Sequence, residues 1–200
     1  MKNFENKSVV ITGGSGGIGA TTARMMAEQG AEILLVDINE DALKSTVQEL
    51  DSNNVHYFVA DVSDEKQVKA YADKAMELFG KVDVFFNNAG VEGKVLPLDE
   101  YPLEEFHKVI DINVKGVYFG LRHVMPLMRE HGGSVVITSS VAGLTGTPNV
   151  LPYVTSKHAV IGMMRSAAQE GAPHKIRVNT VNPSPVDNRM MRSLEEGFAP

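Results

Sequence analysis

Six short runs of apolar and β-branched residues punctuate the chain, at positions 8–12, 32–37, 55–60, 82–87, 134–139 and 176–181. Their apolar positions are mostly consecutive, which predicts strands covered on both faces rather than strands with one wet side. Between them lie longer stretches with apolar residues at helical spacing, at 18–30, 40–50, 64–79, 103–131 and 153–171. This alternation predicts parallel strands joined by right-handed crossovers. The expected fold is α/β, a doubly wound parallel sheet with helices on both faces, in one domain over 1–200. Helix ends are marked where the pattern needs them: Asp64 with Gln67 resembles a capping box, and Gly30 and Gly80 occupy C-terminal positions.

Composition narrows the function classes. A formal net charge of −6 offers no electrostatic footprint for nucleic acid or an anionic membrane. Cysteine is absent, which removes disulfides, thiolate chemistry and Cys-ligated metal. The six histidines show no metal-ligand spacing, so no metal site is expected. The first residues are polar, the apolar run after them stops at Gly13, and no run approaches membrane-spanning length. The expectation is a cytoplasmic protein whose partners are small molecules or copies of itself. Met163 and Met164 read as core gap-fillers, while Met190 and Met191 follow a Pro-rich loop and are candidates for a substrate mouth.

The segment after the first strand carries Gly13, Ser15, Gly16, Gly17, Ile18 and Gly19 and opens the first helix. Glycines there let the backbone turn sharply and approach a pyrophosphate, which the free N–H groups of the helix start would hold. Asp37 closes the second strand about 20 residues on, where a carboxylate can accept from ribose hydroxyls. It could equally be a helix N-cap with Glu40. A carboxylate at Asp37, followed by Ile38 and with no Lys or Arg beside it, repels the extra phosphate of NADP, so NAD is the expected cofactor. Asp61 and Val62 end the third strand where an adenine can be held, with solvated loop as the alternative for Asp61.

The three residues between Gly13 and Gly17, the run Asn87-Asn88-Ala89-Gly90, and Asn113, Ser140, Tyr153 and Lys157 in this order and spacing resemble the short-chain dehydrogenase/reductase family. The resemblance covers about Lys7 to Arg189. It implies a Rossmann-like domain with catalytic Asn113, Ser140, Tyr153 and Lys157, and cofactor contacts that include Asn88, Ala89, Gly90, Pro183, Val186 and Asn188 as well as Tyr153 and Lys157. It also implies that Asn113 holds a water linking Lys157 to solvent. Ser184 and Asn188 stand where the family has glycine and threonine. Val91-Glu92-Gly93-Lys94 is similar to the loop of members acting on cyclic ketones and sugars, which with Met190 makes Glu92 a substrate candidate. Relatives continue through another helix and a seventh strand. The chain is therefore expected to lack that part, to end in a substrate lid over 187–200, and to form a homo-oligomer, dimer or tetramer.

The residues make chemical sense without the family. Tyr153 and Lys157 are four apart, on one face of a helix. A tyrosine acting as a base at neutral pH needs its pKa depressed by roughly 3 units, about 4 kcal/mol, which a nearby ammonium and an oxidised nicotinamide can supply. Ser140, at the end of the fifth strand, is placed to bond the substrate oxygen, with Ser139 the competing choice. The function expected is NAD-dependent oxidation of a secondary alcohol or reduction of a ketone; the alternatives are an NADPH-dependent ketoreductase and a non-catalytic NAD-binding module.

Overall fold

The computed structural model describes residues 3–198. Six strands, β1 (Ser8–Thr12), β2 (Glu32–Asp37), β3 (Val55–Val59), β4 (Val84–Asn87), β5 (Gly133–Thr138) and β6 (Ile176–Val181), form one parallel sheet in the order β3-β2-β1-β4-β5-β6. The connecting helices are α1 (Gly17–Glu28), α2 (Glu40–Leu50), α3 (Glu65–Phe79), α4 (Leu103–Ile110), α5 (Gly116–Val124) and α6 (Leu151–Gly171), with α7 (Arg189–Phe198) after the last strand.

Successive strand residues point to opposite faces, and the register turns this into two cores. Leu34, Val10, Phe85, Val135 and Val178 stand side by side across five strands and pack on Val68, Tyr71, Leu121 and Val160 of α3, α5 and α6. One residue along, Leu35, Ile11 and Phe86 point the other way, onto Ala23 and Leu43 of α1 and α2. Strands β1 and β2 are covered on both faces, as their unbroken apolar runs require.

The expectation of two-sided burial fails at the edges. Strands β3 and β6 alternate buried and exposed positions, leaving Tyr57, Val59 and Val181 exposed. Their composition is that of a buried strand; position in the sheet decides their surroundings. The helix expected over 103–131 is also interrupted: α4 and α5 are separated by a π-helical turn at Asp111–Lys115, and a 3₁₀ turn at Met125–Met128, with Pro126 inside it, ends the run. The box expected at Asp64 is half present, since Asp64 accepts from Lys66 N at 2.8 Å but Gln67 Oε1 accepts from Asp61 N at 2.9 Å. Gly30 and Gly80 close their helices at φ +91° and +70°.

At the opposite end of the sheet from the site, Asp83 joins β1 to the start of β4. It accepts from Ser8 N at 3.0 Å and Ser8 Oγ at 3.1 Å, and pairs with Lys7 and Lys81 at 3.1 and 3.0 Å. Burial opposes its ionisation, but the Ser8 N–H and the two ammoniums outweigh this and hold its pKa at about 2. A carboxylate held below its unfolded value stabilises the fold above pH 3.8, and the stabilisation is lost as pH falls through about 2. Asp83→Asn is expected to lower unfolding free energy by about 2 kcal/mol at pH 7. Urea titrations of both proteins should show that gap narrowing below pH 4; a gap independent of pH would rule out this ionic origin.

Candidate active site

The sheet order reverses between β1 and β4, so their connections leave in opposite directions and open a crevice at the carboxyl ends of the strands. A cleft of about 830 Å³ lies there. Every residue singled out for cofactor, catalysis or substrate lines it, except Gly19, Asn113 and Glu92. Those three sit beside it in supporting positions.

The glycine loop is shaped by contact with its neighbours. A Cβ on Gly14 would come within 2.9 Å of Leu35 Cβ, and one on Gly19 would collide with the Gly13 carbonyl oxygen. Helix α1 therefore packs tightly on the turn, and its N-cap, Gly16, contributes no side-chain acceptor. By contrast, α2 and α3 are capped by Asn39 and Asp64. The uncapped N–H groups of α1 face the cleft without an acid in the first turn, which fits a pyrophosphate.

Asp37 is not the N-cap of α2; Asn39 is, accepting from Ala42 N at 3.0 Å. Asp37 instead accepts from Ser15 N at 3.1 Å and Ser15 Oγ at 2.6 Å, tying the end of β2 to the glycine loop. Its carboxylate thus stands in the cleft beside the loop, where a ribose would lie. The expectation that Asp61 is left untethered is corrected. Its Oδ1 accepts from Ser63 N and Ser63 Oγ at 2.8 and 2.7 Å, so it shapes the turn after β3. Val62 and exposed Ile38 supply apolar walls nearby.

Asn88 continues β4 into the centre of the site. Its Nδ2 donates to Thr12 O at 3.0 Å and its Oδ1 accepts from Thr138 Oγ1 at 2.9 Å, so one side chain braces β1, β4 and β5. Thr12 Oγ1 in turn accepts from Asn88 N and Ala89 N. Thr12 and Thr138 were missed in the sequence; their position as the last residue of a central strand is the signal that marks them.

Helix α6 presents Tyr153 and Lys157 on one face, Tyr153 half-buried and Lys157 buried. Lys157 Nζ donates to Thr138 O at 2.9 Å and lies 5.5 Å from the centre of the Tyr153 ring. Burial brings the lysine down to about 8. The tyrosine goes up, not down: burial dominates, Ser140 pulls the other way, and the Glu92 carboxylate adds to the rise. The depression expected from the ammonium is therefore absent in the protein without cofactor, because Nζ faces the ring and a carbonyl. The two serines differ. Ser139 Oγ is spent on Lys157 O at 2.9 Å, whereas Ser140 Oγ accepts from Ala142 N at 3.1 Å and keeps its O–H available beside Tyr153.

The side chain of Asn113 holds no gap for a water. Its Oδ1 accepts from Val91 N, and its Nδ2 donates to Val91 O and to Ser156 Oγ, at 2.8, 2.8 and 3.0 Å. It lies in the π turn and clamps the loop after β4. Asn188, expected to bond a carboxamide, caps α7 by accepting from Met191 N at 3.0 Å, leaving its N–H₂ for a ligand. Pro183, Val186, Met190 and Met191 line the cleft, joined by Arg189, Leu194 and Phe198, which the sequence did not single out. Met163 and Met164 pack against the core, as expected.

Residues 7–198 match the family model described as short chain dehydrogenase. The chain belongs to that family. This dehydrogenase is 41% identical to levodione reductase of Leifsonia aquatica over 201 residues, covering 96% of this chain and 75% of that protein. It is 35% identical to cyclohexanol dehydrogenase of Acinetobacter sp. (strain SE19), covering 96% and 78%. Among solved structures, levodione reductase superposes with a TM-score of 0.94 at 41% identity, covering 98% of this chain and 78% of that one. NAD⁺-bound xylitol dehydrogenase gives 0.87 at 38% identity, covering 92% and 73%. The dehydrogenase is an oxidoreductase of CH–OH groups, with the nucleotide-binding fold of its family. No helix among the described residues is long and apolar enough to cross a membrane.

Proposed function

We propose that this enzyme interconverts a secondary alcohol and its ketone, cyclic or sugar-like, using NAD rather than NADP. The observation that carries the reading is convergence. Ser140, Tyr153 and Lys157 form one wall of a cleft whose opposite wall is the glycine loop with Asp37. The relatives whose names speak of levodione, cyclohexanol and xylitol act on molecules of that kind.

The glycine loop and the start of α1 hold the pyrophosphate, Asp37 and Ile38 the adenosine ribose, and Asp61 and Val62 the adenine side. Ala89 and Gly90, with Pro183, Val186 and the Asn188 amide, place the nicotinamide end. When bound, the dinucleotide takes the hydride of the carbinol carbon in one direction and returns it in the other. Tyr153 takes the hydroxyl proton in oxidation and gives it back in reduction. Ser140 donates to the substrate oxygen, and Lys157 holds the ribose and supplies positive charge. Asn113 fixes the loop that borders the substrate. Segment 187–200 closes over the substrate, with Met190 against it; positions 199–200 lie outside the described residues. We place the enzyme in the cytoplasm as a homo-oligomer, dimer or tetramer.

Cofactor choice supplies the test. Asp37→Ala removes a charged acceptor worth about 1.5–3 kcal/mol, so kcat/KM for NAD should fall about 10- to 100-fold while that for NADP rises. Asp37→Ser, which keeps an acceptor near Ser15, separates ribose binding from loop support. Initial rates with both cofactors decide the matter, and a wild-type preference for NADP would sink the assignment.

A further inference from the structure

Glu92 is 8% exposed, an environment in which carboxylates are rarely found without a partner. Among the described residues it forms no ion pair and no side-chain hydrogen bond. Its oxygens are nevertheless not sealed, since the sealed, unpartnered side-chain atoms there are Tyr71 Oη and Asn182 Oδ1. The carboxylate therefore touches accessible space. Its neighbour Val91 lines the cleft, and its charge acts on the Tyr153 hydroxyl, which puts that space at the Tyr153 end of the cleft.

The loop that carries Glu92 is built to hold still. On one side Asn113 clamps both the N–H and the carbonyl of Val91. On the other, Gly93 turns at φ +74°, where a Cβ would lie 2.6 Å from Tyr101 Oη and 2.7 Å from Val109 Cγ2. Lys94 N donates to the same Tyr101 Oη at 2.9 Å, and Leu96 N donates to Asn149 O at 2.8 Å. An unpaired carboxylate so confined cannot relax toward water, so a donor brought by a ligand gains its full desolvation deficit. The rest of the chamber is apolar: Val91, Val141, Val150, Met190, Met191 and Leu194.

We propose that Glu92 determines specificity by accepting a hydrogen bond from a second hydroxyl of the substrate, on an otherwise apolar carbon frame whose carbinol reacts at Tyr153. The preferred substrates are diols and hydroxyketones rather than simple alcohols. This rests on the reading of Tyr153 as the proton carrier, and it goes beyond that reading by naming what else the substrate must carry.

The test compares cyclohexanol with the cyclohexane-1,2-, 1,3- and 1,4-diols in wild type, Glu92→Gln and Glu92→Leu, at saturating NAD. Wild type should favour at least one diol by about 10- to 100-fold in kcat/KM. Glu92→Leu should bring that ratio to within a few-fold of unity, through the KM of the diol. Glu92→Gln, which keeps an amide acceptor, should lie between. Calorimetric titration of NAD-loaded Tyr153→Phe with the same compounds, with and without Glu92→Leu, reads the contact when chemistry is switched off. A ratio and a binding difference indifferent to Glu92→Leu overturn the proposal. So does an equal loss on diol and cyclohexanol with a displaced pH profile, which would assign Glu92 to electrostatics at Tyr153. If wild type oxidises none of the four while the binding difference persists, the alcohol-dehydrogenase reading fails and the Glu92 contact stands.

Discussion

Tyr153→Phe is expected to lower kcat by about 10²- to 10⁴-fold, the contribution of a positioned acid–base group, while NAD affinity changes little. The phenyl ring keeps the packing on α6 and the place beside Lys157, so the loss isolates the hydroxyl. The sign of the pH dependence follows from the site. Burial holds the phenol above its ordinary value in the protein without cofactor, with the Glu92 carboxylate adding to it and Ser140 opposing. Without further positive charge the proton stays on. Oxidation, which needs the base, should therefore gain with rising pH, whereas reduction, which needs the acid, should persist into the alkaline range. Stopped-flow rates in both directions, with cofactor binding measured separately by fluorescence titration, check this. Retained turnover in Tyr153→Phe would remove the tyrosine from the mechanism.

Lys157→Met is expected to do two opposite things. Activity should fall by at least about 10²-fold, because the ammonium that supplies positive charge near Tyr153 is gone. Stability should rise. A lysine held at about 8 by burial binds its proton less tightly in the folded chain than in the unfolded one, where the value is 10.5. The folded state carries that penalty in full below about pH 8 and sheds it as pH rises toward 10.5. The shift corresponds to about 3 kcal/mol, against which Thr138 O loses its donor at a cost of about 1–3 kcal/mol. A net gain of about 1 kcal/mol at pH 7, or about 2–4 °C in Tm, is expected, vanishing by about pH 10. Thermal melts of both proteins at the two pH values measure it. A variant less stable at pH 7 would mean that the Thr138 bond outweighs the buried charge, and that this lysine is held for folding as well as chemistry.

These effects separate what one-dimensional pattern can carry from what it cannot. Unbroken apolar runs and helical spacing determined the order of strands and helices, because burial on a sheet face and the 3.6-residue turn are both periodic in sequence. The spacing of Gly13, Gly17 and Gly19, and of Tyr153 and Lys157, determined the local shapes of the phosphate turn and the α6 face. Both are short-range geometry. Tertiary structure alone decided what those residues spend their polar atoms on. Asp61 is drawn to Ser63, Asn113 to the backbone of Val91 and Asn188 to the start of α7, each because a hydrogen-bonding group removed from water takes the nearest partner in space. It also decided that β3 and β6 keep one exposed face, and that Lys157 faces a ring and a carbonyl while Tyr153 is raised rather than lowered. Burial and charge act through distance in the folded molecule, and distances between remote segments are set only when the chain has packed.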